Sequence, residues 1–223
     1  MIMDTGVFHD RRDAGRRLAE ALRRFTTADP IVLALPRGGV PVGFEVAKAL
    51  GVPLDVLIVR KIGAPGHEEF GLGAVVDGAE PQVVLNEEAM AAVRPPQSYV
   101  DAEVDRQLKE IERRRRVYLG DRKPLATRNR AVIIVDDGIA TGGTVKTALR
   151  ALRRTGPDYV VLAVPVAPRE AIAALRREAD ETVCLSTPEP FWAVGQYYED
   201  FEQTSDDEVV ALLAENRAHT PPL

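Results

Sequence analysis

Short β-branched apolar runs alternate along this chain with longer segments whose apolar residues recur at helical spacing. That is the pattern of a mostly parallel sheet flanked by helices. Residues 31–35, 54–60, 131–135, 159–166 and 182–185 read as strands. The run 131–135 is apolar almost throughout, as in a strand covered on both faces. Shorter strands are expected at 72–76 and 83–85, after a glycine-rich loop over 62–73. Asp10 is placed to cap a first helix to about Phe25, with Ala14, Leu18, Leu22 and Phe25 on its apolar side. Pro41 opens a second helix that Gly51 closes. A long polar helix over 98–118 carries a narrow stripe of Val100, Val104, Leu108 and Ile111. Residues 144–154 and 168–179 complete the helical set.

Length and composition narrow this to one α/β domain with a modest appendage. With 223 residues and a hydrophobic share of 45%, a sizeable core is available. The net charge of −5 argues against bulk electrostatic binding of nucleic acid. The basic cluster 113–116 follows Asp101, Glu103, Asp105, Glu110 and Glu112, which makes a mixed-charge helix face. Cys184 is the only cysteine. It allows no intramolecular disulfide and reads as a small buried apolar residue. His9, His67 and His219 lack metal-ligand spacing. No stretch resembles a signal peptide or is long enough to span a bilayer, so a cytoplasmic protein without membrane partners is expected.

The chemistry concentrates in residues 132–144. A buried strand delivers Asp136 and Asp137 at its C-terminal end, followed by a Gly- and Thr-rich turn and then a helix. Backbone N–H groups converging at such a turn, with the helix N-terminus behind them, favour a phosphate. Thr141 and Thr144 add hydroxyl donors. Thr144 stands where a P-loop would place its lysine, so this is not a P-loop. Two carboxylates just before the turn can accept hydrogen bonds from the diol of a ribose phosphate held there.

This segment resembles the signature of the type I phosphoribosyltransferases. The resemblance implies their Rossmann-like α/β fold, a mostly parallel sheet flanked by helices with a small hood. It implies a core over residues 1–186 with a helical insertion at about 86–120, and a C-terminal hood and tail over 187–223. It also implies binding of phosphoribosyl diphosphate (PRPP). Asp136 and Asp137 would take the ribose, and Ala140, Thr141, Gly142, Gly143 and Thr144 the 5′-phosphate.

Further stations follow from the same likeness. The loop Pro36-Arg37-Gly38-Gly39 matches the family's diphosphate loop, where a cis peptide is common and would fall at Pro36–Arg37. Arg60 and Lys61 resemble the Arg-Lys pair of orotate phosphoribosyltransferases, although the loop after them lacks the further lysine of those enzymes. His67 lies in a loop that the family closes over the reacting carbon, where it would help the diphosphate to leave. Trp192 and Glu199 fall at the acceptor-binding stations of hypoxanthine-guanine phosphoribosyltransferases. The lysine by which those enzymes read the purine is missing from 164–168, so the acceptor is left open. Mg²⁺ is implied mainly through PRPP, with Asp136, Asp137 and Glu199 as the carboxylates in reach.

The implied activity is transfer of 5-phosphoribosyl to a nucleobase or related amine, with Asp137, Lys61 and Arg37 as catalytic residues and a homodimer as the assembly. Two other readings stay open. One is a PRPP- or nucleotide-binding regulator without turnover. The other is a nucleotide phosphorylase or hydrolase built on the same cradle.

Overall fold

A computed structural model describes residues 7–219 of the chain. The expected hood and tail, 187–223, therefore falls partly outside the described residues. The central sheet is built from β1 (Ile31–Ala34), β2 (Leu54–Val56), β6 (Ala131–Val135), β7 (Tyr159–Val166) and β8 (Glu181–Ser186). These five strands are parallel and lie in the order β2-β1-β6-β7-β8. Their side chains alternate between two cores. Val32, Ala34, Ile133, Val135, Val161 and Ala163 face α1 (Arg11–Leu22), α2 (Gly39–Leu50) and α7 (Asp206–His219). Ile31, Leu33, Val132, Ile134, Val160 and Leu162 face α5 (Gly143–Arg154) and α6 (Arg169–Leu175).

Local chemistry sets the helix ends. The Asp10 carboxylate accepts the Asp13 N–H at 2.6 Å and caps α1. Gly51 closes α2 at φ 70°, a left-handed conformation that costs glycine little. Pro41 does not open α2 as expected; the helix begins two residues earlier at Gly39. The proline sits inside the first turn, where no helical hydrogen bond needs its missing N–H. The helix expected over 168–179 ends earlier, at Leu175.

The larger departure follows β2. The apolar run 54–60 is not one strand. It breaks after Val56, and β3 (Val59–Ala64) joins a second, antiparallel sheet with β4 (His67–Val76) and β5 (Gln82–Leu85). The expected loop over 62–73 is therefore a hairpin. Ile62 pairs with Gly73 and Ala64 with His67, with register shifts that absorb the glycines. Asn86 caps the short α3 (Glu87–Val93), and α4 (Gln97–Leu119) then packs on β3 and α7.

Of the residues after 186, α7 places Val209, Leu212 and Leu213 in the same core as the central sheet. The aromatic segment before it packs against the start of the described chain: Phe8 pairs in parallel with Tyr198, and their rings lie 5.4 Å apart. Among the described residues, no helix is long and apolar enough to cross a membrane.

Candidate functional site

A crevice opens where the strand order reverses. β1 leads through α2 to β2 on one side, while its neighbour β6 leads through α5 to β7 on the other. In open α/β sheets, ligands bind at such a point because the two adjacent loops diverge there. Ala34 pairs with Val135, so the loops 36–39 and 136–142 leave the sheet side by side.

Glycine lets these loops touch. A methyl group on Gly39 would stand 2.8 Å from the Val135 carbonyl oxygen and 3.1 Å from the Asp136 Cα. One on Gly38 would collide with the Asp137 carboxylate. The Pro36–Arg37 peptide is cis.

The acid pair is electrostatically unequal. Asp137 Oδ2 accepts Arg11 Nε at 2.8 Å, with the two side chains only 15% and 11% exposed. Arg11 also donates to the Glu202 carbonyl oxygen at 2.6 Å and lays its guanidinium 3.9 Å from the centre of the Phe201 ring. The Tyr198 hydroxyl donates to the Asp137 carbonyl oxygen at 2.5 Å. Asp136 has no ion pair among the described residues; its Oδ1 accepts the Asp137 N–H at 2.9 Å. Burial, and then the charge of Asp137, raise the Asp136 pKa well above the ordinary carboxylate value.

Beyond the pair, Gly142 adopts φ 79° and caps α5, and its carbonyl oxygen accepts the Lys146 N–H at 2.8 Å. The first-turn N–H groups of α5 then lack helical partners, and the partial positive charge of the helix end lies with them. Thr141, Gly143 and Thr144 line one wall of a cleft of about 570 Å³. Arg60 and Lys61 of β3 line another, and Tyr99, Glu103, Arg106 and Gln107 of α4 a third. Ala140 is exposed in the same loop.

Other residues expected at the site do not line this cleft. Arg37 is 3.7 Å from Asp206 at the start of α7, in a smaller cavity shared with Arg113, Arg114 and Tyr118. His67 is exposed at the start of β4, next to the hairpin turn. Trp192 is 76% exposed, which rules out a core-filling role. Glu199 pairs with His9 at 2.9 Å, a contact that raises the histidine's pKa. Among the described residues, no group of three or more His, Cys, Asp or Glu could hold a metal ion.

Sequence reasoning missed Arg11, Tyr198 and the polar face of α4. Arg11 is one of several arginines in an amphipathic helix, and nothing nearby in the chain marks it. Tyr198 is one of several aromatics near the C-terminal end, and nothing nearby in the chain marks it.

Comparison with known proteins adds an independent line. The family profile described as the phosphoribosyl transferase domain matches residues 8–202. A Mycobacterium tuberculosis protein, named provisionally as a phosphoribosyl transferase, is 48% identical over 213 residues. The match covers 96% of this chain but 47% of that protein, so the chain spans about half the length of this curated relative. The crystal structure of TT1426 from Thermus thermophilus is 48% identical, with a TM-score of 0.79 over 94% of this chain and 98% of that one. An adenine phosphoribosyltransferase from Mycobacterium marinum is 49% identical over 57 residues, 23% of this chain and 31% of that protein.

Proposed function

The chain belongs to the phosphoribosyl transferase family, and on that premise we propose that it moves the 5-phosphoribosyl group of PRPP to a nitrogen acceptor and releases diphosphate. The observation that carries this reading is the meeting of the glycine loop 38–39, the unequal pair Asp136–Asp137 and the N-terminus of α5 at the reversal point of the sheet. The 5′-phosphate sits on the turn 140–144, where first-turn N–H groups and hydroxyls supply donors. The ribose diol donates to the acid pair. Arg60 and Lys61 bring positive charge to the diphosphate from across the cleft.

In the reaction the acceptor nitrogen's lone pair forms the new bond to the anomeric carbon. The bond from that carbon to the diphosphate oxygen breaks, the diphosphate leaves with the electron pair, and the acceptor loses its proton. The anomeric carbon gains positive charge on the way, so fixed carboxylates and close placement lower the barrier. Asp137 is the candidate base for the acceptor proton, held in one orientation by Arg11.

Mg²⁺ fits this site as a partner of the substrate. It prefers oxygen ligands, and it is commonly bound through one or two carboxylates together with phosphate oxygens. Asp136 and Asp137 are such carboxylates, and no described cluster offers a full protein cage. Bound there, Mg²⁺ would neutralise the diphosphate. Trp192 offers an exposed aromatic face for a planar acceptor.

Calorimetric titration of Mg²⁺·PRPP into the wild type and into Asp136→Asn/Asp137→Asn tests the reading. Saturable binding that the double variant loses supports it, and an acceptor screen for released diphosphate follows. A folded wild type that does not bind overturns it.

A further inference from the structure

Arg60 is the first link of a buried polar chain that runs into α4. Its Nε donates to Gln107 Oε1 at 2.9 Å. Gln107 Nε2 donates to Glu103 Oε1 at 2.6 Å. Glu103 in turn accepts two hydrogen bonds from Arg106, at 2.8 and 2.7 Å. Gln107 is 3% exposed and Glu103 8%, on the buried side of α4 with Val100 and Ile111. An amide and a carboxylate buried this deeply are costly unless their partners are fixed. Residues 99, 103, 106 and 107 share one helical face. All four line the cleft with the phosphate turn, and the Tyr99 hydroxyl donates to the Gly63 carbonyl oxygen at 3.1 Å.

This chain fixes the direction of one guanidinium. With Nε occupied, the planar fork of Arg60 cannot rotate freely, and its two terminal nitrogens keep their donors. Among the described residues neither terminal nitrogen has a hydrogen-bond partner. Burial, and then the nearby charge of Arg114, lower the Arg60 pKa. Half-buried, with Glu110 and Glu103 offsetting the charges of Arg114 and Arg106, the guanidinium keeps two terminal donors to offer an anionic ligand.

We propose that Gln107 and Glu103 are positioning residues that aim Arg60 at the diphosphate of PRPP, which makes α4 a wall of the substrate site. The inference rests on the PRPP reading above and deepens it. It gives the long polar helix a role that packing alone does not require, because a packing helix would bury apolar side chains at 103 and 107.

Gln107→Met keeps volume and helix propensity and removes both hydrogen bonds. Its expected effect is a Kd for Mg²⁺·PRPP and for Mg²⁺·diphosphate raised about tenfold, the scale of a hydrogen bond to a charged group. Ribose 5-phosphate, which reaches the turn and the acid pair but not Arg60, should bind unchanged. In an Arg60→Met background the same substitution should have no further effect, as expected of residues acting through one contact. If Gln107→Met binds Mg²⁺·PRPP like the wild type, or weakens ribose 5-phosphate equally, the positioning role is overturned while the PRPP reading stands. A wild type that binds no Mg²⁺·PRPP removes both.

Discussion

Arg11 donates its Nε to the Asp137 carboxylate at 2.8 Å although 126 residues of chain separate them. The contact joins the first helix to the loop after β6 and ties one member of the acid pair to a fixed cation. Arg11→Met should therefore do two things. It should cost roughly 3–5 kcal/mol of stability, since it leaves a largely buried carboxylate unpaired, which urea denaturation would read. It should also weaken Mg²⁺·PRPP binding. Arg11→Lys should not restore either property, because an ammonium cannot make the flat contact with Phe201.

Asp136 behaves in the opposite sense. Its folded-state pKa is raised, so its contribution to stability is fully present below the ordinary carboxylate pKa and is lost as pH rises through the raised value. Asp136→Asn keeps an acceptor for the Asp137 N–H and removes the desolvated charge. The unliganded variant is expected to be more stable than the wild type by roughly 1–2 kcal/mol near neutral pH. The gap should close as pH falls below about 4. Thermal melts across pH test this, and a wild type equally stable at neutral pH refutes it.

Gly38→Ala tests the approach of the two loops. The added methyl group collides with the Asp137 carboxylate and must displace it from Arg11. The expectation is a folded protein whose affinity for Mg²⁺·PRPP falls at least about tenfold, since the displaced groups belong to the proposed ribose site. Calorimetry beside a melting curve separates lost binding from lost fold.

Trp192 is the only tryptophan, so its emission reports on one place. At 76% exposed it should be readily quenched by iodide in the free protein. A bound aromatic acceptor should shield it. Trp192→Ala should change unfolding free energy by less than about 0.5 kcal/mol, yet raise the acceptor KM without changing PRPP affinity.

Cys184 lies at the edge of the sheet with its thiol donating to the Ser186 carbonyl oxygen at 3.1 Å. Burial pushes its pKa up to about 11. Since the thiolate is the reactive form, iodoacetamide should label the folded protein very slowly at mildly alkaline pH and the urea-unfolded chain quickly. Mass spectrometry of timed samples gives both rates.

The strands of the central sheet were legible because burial on both faces leaves almost no polar residue in runs such as 131–135. The acid pair and the Gly- and Thr-rich turn were legible because their parts are consecutive in the chain. Periodicity could not show where a strand changes partner, so 54–60 looked continuous although Leu57 and Ile58 carry the chain between two sheets. Glycines at 63, 71 and 73 suggested a loop, whereas the backbone of Glu68 across the hairpin leaves no room for a side chain at Gly63, and that of Val84 and Leu85 in β5 none at Gly73. Arg11 and Gln107 were hidden for a common reason. Their partners are distant in the chain, and an arginine or glutamine on a polar helix looks the same whether solvated or buried.

The pairing of Phe8 with Tyr198 sets an order on the assembly of the site during synthesis. Asp137 emerges from the ribosome long before Tyr198, Phe201 and Glu202, the groups that hold its carbonyl and seat Arg11. Until that late segment arrives, the acid pair has its carboxylates but not the clasp that orders them. A product truncated between residues 144 and 198 therefore carries the acid pair and the whole Gly- and Thr-rich turn without the contacts that hold them.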